Sequence, residues 1–176
     1  MIYVEEFLNA IKKVNGDDLA FIMTNTKAER HIVGRVGYQL SLQLDDNHRV
    51  AIEHKRKDLV ILNGETQEAV FEVKYFFAHD NIGTRKRDIE GFKRDLKKLS
   101  KAECEKAYFV LFIADFYPDY PEYFKYRQPN KKKSMKLGKV PEIFKNYKKE
   151  CTDFIDIGTC DSKRAKLRAM IWHIKP

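Results

Sequence analysis

The sequence has few cysteines, no long apolar run, no metal-binding histidine pattern and no linker, and each absence removes a class of protein. The three cysteines, Cys104, Cys151 and Cys160, are odd in number and show no CxxC spacing. That argues against a disulfide framework or a zinc ribbon and for reduced thiols in a cytoplasmic protein. No apolar stretch approaches the roughly 18 residues that a membrane helix needs. Met1 to Ala10 already contains Glu5 and Glu6 and lacks a basic segment followed by an apolar one, so no secretory leader is expected. The five histidines (His31, His48, His54, His79, His173) form neither HxxxH nor HExxH, which disfavours a zinc hydrolase. There is no internal repeat.

What is present suits one domain. At 176 residues with 43% hydrophobic and 12% aromatic content, the chain can hide about 70% of its unfolded surface and build its own core. The net charge of +8 suits an anionic partner. That excess is local. Residues 121–149 hold ten basic side chains against two acidic ones, Glu122 and Glu142, and the remainder of the chain carries 24 of each sign.

The hydrophobic period changes along the chain. Val4, Phe7, Leu8 and Ile11 fall at helical spacing before Gly16, and Ile32, Val36, Leu40 and Leu44 recur every four residues after capping candidates at Thr24, Asn25 and Thr26. Val50 and Ile52 alternate with charged or small residues, Asp58 to Leu62 is a short apolar run before Asn63-Gly64, and Glu68 to Phe77 is rich in β-formers. These read as an antiparallel meander of three strands. Asn81 to Lys106 is a charged amphipathic helix with Ile89, Phe92, Leu96 and Leu99 on its apolar stripe. Tyr108 to Ala114 is a buried strand, so the helix before it allows a crossover into a parallel neighbour. Phe154 to Ile157 reads as a last strand and Ser162 to His173 as a terminal helix. The fold class is α/β: a mixed sheet with a three-stranded meander, flanked by helices. One domain spans residues 1–176, with a core over about 26–115, a basic aromatic segment over 116–149 and a C-terminal strand and helix over 150–176.

Three residues in the meander carry chemistry. Glu72 and Lys74 are two apart, so on a strand they project from one face. If Asp58 faces Glu72, the hairpin closes with a five-residue loop from Asn63 to Gln67, an allowed length. A two-residue Asn63-Gly64 turn would instead set Asp58 near Ala69. In the first register two carboxylates and an ammonium converge. Close carboxylates repel unless a cation lies between them, and Mg²⁺ (or Mn²⁺) suits two carboxylates plus a backbone carbonyl, here that of Val73. Lys74 would orient or deprotonate a water that attacks a phosphodiester.

Asp58, thirteen intervening residues, then Glu72-Val73-Lys74 resembles the PD-(D/E)XK nuclease superfamily, and so does the order helix, three-stranded meander, helix, strand over about Thr26 to Asp115. The resemblance implies a restriction-endonuclease-like core and a Mg²⁺-dependent endonuclease, a hydrolase acting on DNA in preference to RNA. It also implies a glutamate from the helix before the meander. Glu29, the single acidic residue between Asp18 and Asp45, is the match. Lys57 stands where the motif has proline.

Other residues have plainer readings. Glu53 reads as a solvated edge residue, and His31 and His54 as surface or half-buried histidines. Arg85, Lys86 and Arg87 read equally as phosphate contacts or as the polar start of a helix. Phe116 to Tyr126 contains six aromatics, and Lys131, Lys132, Lys133 and Lys136 follow. The lysines would hold phosphates by counterion release, while most of the rings pack against the core. A homodimer would suit cutting two strands. The rival readings are a nucleic-acid-binding protein without turnover and a module that binds an anionic membrane or a partner through the lysines.

Overall fold

Apolar residues at a period of two build most of this protein. In a computed structural model, six strands form one mixed sheet in the order β1-β2-β3-β4-β6-β5. The structure describes residues 2–14, 19–20, 22, 28–77, 82–117, 137–160 and 163–175. Helices α1 (Ile2–Lys13) and α2 (Ala28–Ser41) lead into β1 (His48–Ile52), β2 (Leu59–Asn63) and β3 (Thr66–Phe77). Helix α3 (Lys86–Ser100) precedes β4 (Lys106–Tyr117), and the short α4 (Val140–Ile143) precedes β5 (Lys148–Cys160) and β6 (Lys163–His173). The β1-β2-β3 pairings are antiparallel, and β3 runs parallel to β4. The meander and the crossover expected from the sequence are both present.

Alternation along the strands makes a core on each side of the sheet. Phe71 and Val73 of β3 join Phe7 and Ile11 of α1 and Ile32, Val36 and Leu40 of α2. Val70 faces the other way, toward Phe92, Leu96 and Leu99 of α3, with Phe109 and Trp172. Aromatic stacking ties each layer: Phe7 lies 4.6 Å from Phe71, and Phe144 lies 4.4 Å from Trp172. No helix among the described residues is long and apolar enough to cross a membrane.

Two expectations need correction. Residues 163–173 are a strand, not a helix. Ala165, Leu167, Ala169 and Ile171 are buried on one side while Lys166 is exposed, a period of two that helix-favouring Ala, Leu, Lys and Arg conceal. The strand lies between β4 and β5, where ladder bonds override propensity. The β2-β3 turn follows neither register considered above. Asn63 pairs with Thr66 across a two-residue turn, with Gly64 at φ +58°. Farther along, Leu62 pairs with Gln67 but Ile61 with Ala69, so Glu68 is an extra residue, a bulge. Tyr3, His48 and Asn63 all bond its carboxylate. A tight turn plus this bulge restores the pairing that the longer loop would have given: Leu59 faces Phe71, and Asp58 comes opposite Glu72.

Candidate active site

The site forms where β2 ends and β3 continues. Beyond the Leu59–Phe71 pair, β3 has no ladder partner on that side. Asp58 supplies one: its Oδ2 accepts the Val73 N–H at 2.7 Å. A residue's N–H and C=O point to the same side of a strand, so the Val73 carbonyl also faces the gap. There it accepts a hydrogen bond from Lys74 Nζ at 3.0 Å. The chain reaches Asp58 through a tight connection in which Glu53, Lys55 and Arg56 all have positive φ. For residues other than glycine this costs about 1–2 kcal/mol each, and the strain sits beside the acids.

Helices on both faces close the cluster. Lys74 Nζ lies 3.2 Å from Glu29 Oε1, at the start of α2, and 3.3 Å from Asp95 Oδ2 on α3. Lys98, one turn beyond Asp95, donates to Glu72 Oε2 at 2.7 Å and to the Arg56 carbonyl at 3.0 Å. Its Nζ is also 3.5 Å from Asp95 Oδ1. Acids and ammoniums thus alternate in a chain from Glu29 through Lys74, Asp95 and Lys98 to Glu72.

The charges do not cancel. Glu29, Asp58, Glu72 and Asp95 outnumber Lys74 and Lys98 by two; Arg94, 3.7 Å from Asp95 Oδ1, is largely exposed and its charge is screened by water. Glu72 is fully buried. Burial first, then the Asp58 charge, push its carboxyl up to about 7, against the opposing pull of Lys98. Burial likewise raises Glu29, partly offset by Lys74. Burial works to lower the Lys74 pKa, but the charges of Glu29, Asp95 and Asp58 outweigh it and hold the group above its ordinary value. Glu72 Oε1 and Asp95 Oδ2 are buried without a hydrogen-bond partner among the described residues. The latter is within ion-pair distance of Lys74 but lacks bonding geometry.

A divalent cation fits this donor set. No three His, Cys, Asp or Glu side chains among the described residues form a ready-made metal cage. Mg²⁺, however, needs only one or two carboxylates with its waters. Glu72 brings an unpaired buried oxygen, Asp58 and the Val73 carbonyl lie beside it, and the surplus charge is two negatives. Glu29, Glu53 and Asp58 border an adjoining pocket of about 70 Å³, with Arg30, Val33 and Ile52.

Thus Asp58, Glu72, Val73, Lys74 and Glu29 come together as the sequence suggested. Glu53 lies at the pocket's rim, exposed and paired with Arg30 at 3.1 Å. His31 is exposed and His54 half-buried. Arg85 and Arg87 are exposed at the start of α3, with Arg85 about 15 Å along the helix axis from Asp95. Lys131, Lys132, Lys133 and Lys136 lie outside the described residues, as do most of the aromatics before them. Sequence reading missed Asp95 and Lys98. The signal was there: Asp95 falls three after Phe92 and four before Leu99, on the apolar stripe, where an unpaired carboxylate is costly. The chain matches no protein-family model, and no curated protein or solved structure matches it.

Proposed function

We propose that the protein is a metal-dependent nuclease with a restriction-endonuclease-like core of the PD-(D/E)XK type, cutting nucleic acid, with DNA favoured over RNA. The observation that carries this is the meeting of Asp58, Glu72 and Lys74 on one sheet face around a buried, unpaired Glu72 oxygen. The order α2-β1-β2-β3-α3-β4, with β3 parallel to β4, supports the core assignment.

Asp58 and Glu72, with the Val73 carbonyl, would hold Mg²⁺ or Mn²⁺, and Glu29 supports them from α2. Such an ion, when bound, supplies an acidified water and offsets charge on the phosphoryl group. Lys74 acts on the water and the phosphate. Its raised pKa favours a charged ammonium, which orients the attacking oxygen and stabilises developing negative charge, over a neutral amine that removes a proton. Asp95 positions Lys74, and Lys98 holds Glu72 at its other oxygen. Lysines of residues 131–136 would grip the phosphate backbone.

The test is a cleavage assay of wild type, Asp58→Ala and Lys74→Ala on duplex, branched and single-stranded DNA and on RNA, with and without Mg²⁺. Wild type should cut only with the metal, and both variants should lose cleavage. Cleavage by Asp58→Ala at the wild-type rate would overturn the assignment. Salt-sensitive binding with no cleavage under any condition would leave a nucleic-acid-binding protein without turnover.

A further inference from the structure

The outer face of α2 carries a stripe that the fold does not account for. Arg30, Gly34 and Tyr38 recur every four residues, which aligns them on one face at a rise of about 6 Å, and Leu42 follows at the same interval just past the helix end. Tyr38 is 60% and Leu42 63% exposed, and Ile52, on the neighbouring edge strand β1, is 44% exposed. Tyr38 and Leu42 are four apart, and large apolar side chains grouped in water mark a binding surface more often than chance. Between α2 and β1 lies an open groove of about 450 Å³ lined by Arg30, His31, Gly34, Arg35, Ile52 and Glu53. Arg30, Ile52 and Glu53 also wall the small pocket at Asp58 and Glu29, so the groove and that pocket adjoin.

We propose that this groove and stripe are the track for an unpaired nucleic-acid strand leading to the bond to be cut. The preferred substrate class is then nucleic acid with a single-stranded segment, such as an overhang, a flap or a free strand. Four features point to this occupant. The volume falls within the range of about 300–1,000 Å³ that accepts a small ligand, room for one splayed nucleotide. Gly34 has no side chain to obstruct the floor, and nothing lies within 4 Å of where its Cβ would be. Arg30 meets Glu53 in an exposed pair, 3.1 and 3.4 Å, of the weakly held kind that can be exchanged for a phosphate. Tyr38, one turn beyond Gly34, offers an exposed ring for the next base, as in strand-binding proteins that read no sequence. What happens at Asp58 rests on the nuclease reading above; the strand track itself does not.

The test reads binding apart from cleavage. Labelled single-stranded, overhanging and blunt duplex DNA are titrated with Ca²⁺ in place of Mg²⁺ against wild type, Gly34→Phe, Tyr38→Ala and Tyr38→Phe. Gly34→Phe fills the groove while improving helix propensity, so its melting temperature should not fall. Gly34→Phe and Tyr38→Ala should each weaken single-strand and overhang binding by about tenfold. Tyr38→Phe should bind as wild type does, and blunt-duplex affinity should be unchanged. Wild-type single-strand affinity in both Gly34→Phe and Tyr38→Ala would overturn the proposal and leave the stripe as a face for a protein partner. Wild type that binds the strand but cuts nothing with Mg²⁺ or Mn²⁺ would sink the nuclease reading and leave the track standing. Cleavage by wild type together with unaffected strand binding in both Gly34→Phe and Tyr38→Ala would sink the track alone.

Discussion

Glu72 gives the sharpest test of the acid cluster, because its burial makes a pH dependence that a metal should erase. In the unfolded chain its carboxyl ionises near 4.5, and in the fold near 7. Below pH 4.5 both states hold the proton and Glu72 contributes nothing to pH dependence. Between the two values only the folded state holds it, so stability falls as pH rises, and above about 7 the loss is complete. At about 1.4 kcal/mol per pH unit, the ionised form costs about 3 kcal/mol. For a chain of this length that is a melting shift of about 6–12 °C. The assay is denaturation of metal-free wild type and Glu72→Gln from pH 5 to 8.5. Taking their difference removes the other groups that titrate in the same window. Gln copies the protonated acid, so the variant should lead by less than about 1 kcal/mol at pH 5, where the unfolded carboxyl has begun to ionise, and by about 3 kcal/mol at pH 8. Mg²⁺ at a hundred times its dissociation constant should return about 2.7 kcal/mol to wild type and little to the variant. A wild type that matches Glu72→Gln at every pH, or a metal response equal in both, would refute the argument.

Further predictions follow from neighbouring contacts. Asp95→Ala leaves Lys74 and Lys98 paired with Glu29 and Glu72, so it should cost about 0.5–3 kcal/mol, measured by urea denaturation, whereas Arg94→Ala, an exposed neighbour 3.7 Å from the same carboxylate, should cost less than about 1 kcal/mol. Lys74→Met should lower the single-turnover cleavage rate by about a hundredfold or more while leaving Mg²⁺ binding measurable by calorimetry; an unchanged rate would remove Lys74 from the mechanism. Replacing Lys131, Lys132, Lys133 and Lys136 with Gln should make the salt dependence of DNA binding shallower by about 3.6 in log–log slope if all four meet phosphates, and an unaltered slope would place the contacts elsewhere. The hydrogen bond to Asp45 raises the His48 pKa first, with Glu68 adding to it. The stability that His48 contributes is therefore full below pH 6.5 and lost as pH rises through the raised folded value, and His48→Gln should flatten that part of the curve.

The layers of the fold were readable wherever one period ran without interruption. The stripe of Phe92, Leu96 and Leu99 located α3, and the alternation around Val70, Glu72 and Lys74 located β3 with its two faces. The misses have local causes. In residues 163–173 the buried Ala165, Leu167, Ala169 and Ile171 are mostly residues that also favour helices, so propensity and period disagreed, and pairing with β4 and β5 decided. The turn at Gly64 was legible, but not the bulge at Glu68. Nothing in a linear pattern announces that Tyr3 and His48, far away in sequence, hold an extra residue out of the ladder. Yet that single residue carries Asp58 into register with Glu72. A sequence argument could state the condition for the site, but tertiary bonds at the opposite end of the hairpin satisfy it.

The arithmetic of the cluster favours the proposed site over a structural ion network. A network kept for stability would pair its charges, and even then well-packed apolar residues in its place would be as stable or more so. Here Asp95 and Glu72 are buried on the apolar face of the sheet, each with an unsatisfied oxygen. The two ammoniums reach three of the four carboxylates, Glu29, Asp95 and Glu72, and Glu72 answers by holding its proton to about pH 7. Two routes relieve that surplus, a proton or a cation of charge two. A proton relieves half of it and is lost at neutral pH. A divalent cation would relieve all of it and bring water to the face where Lys74 projects, so the feature that weakens the fold is the one the proposed cleavage would use.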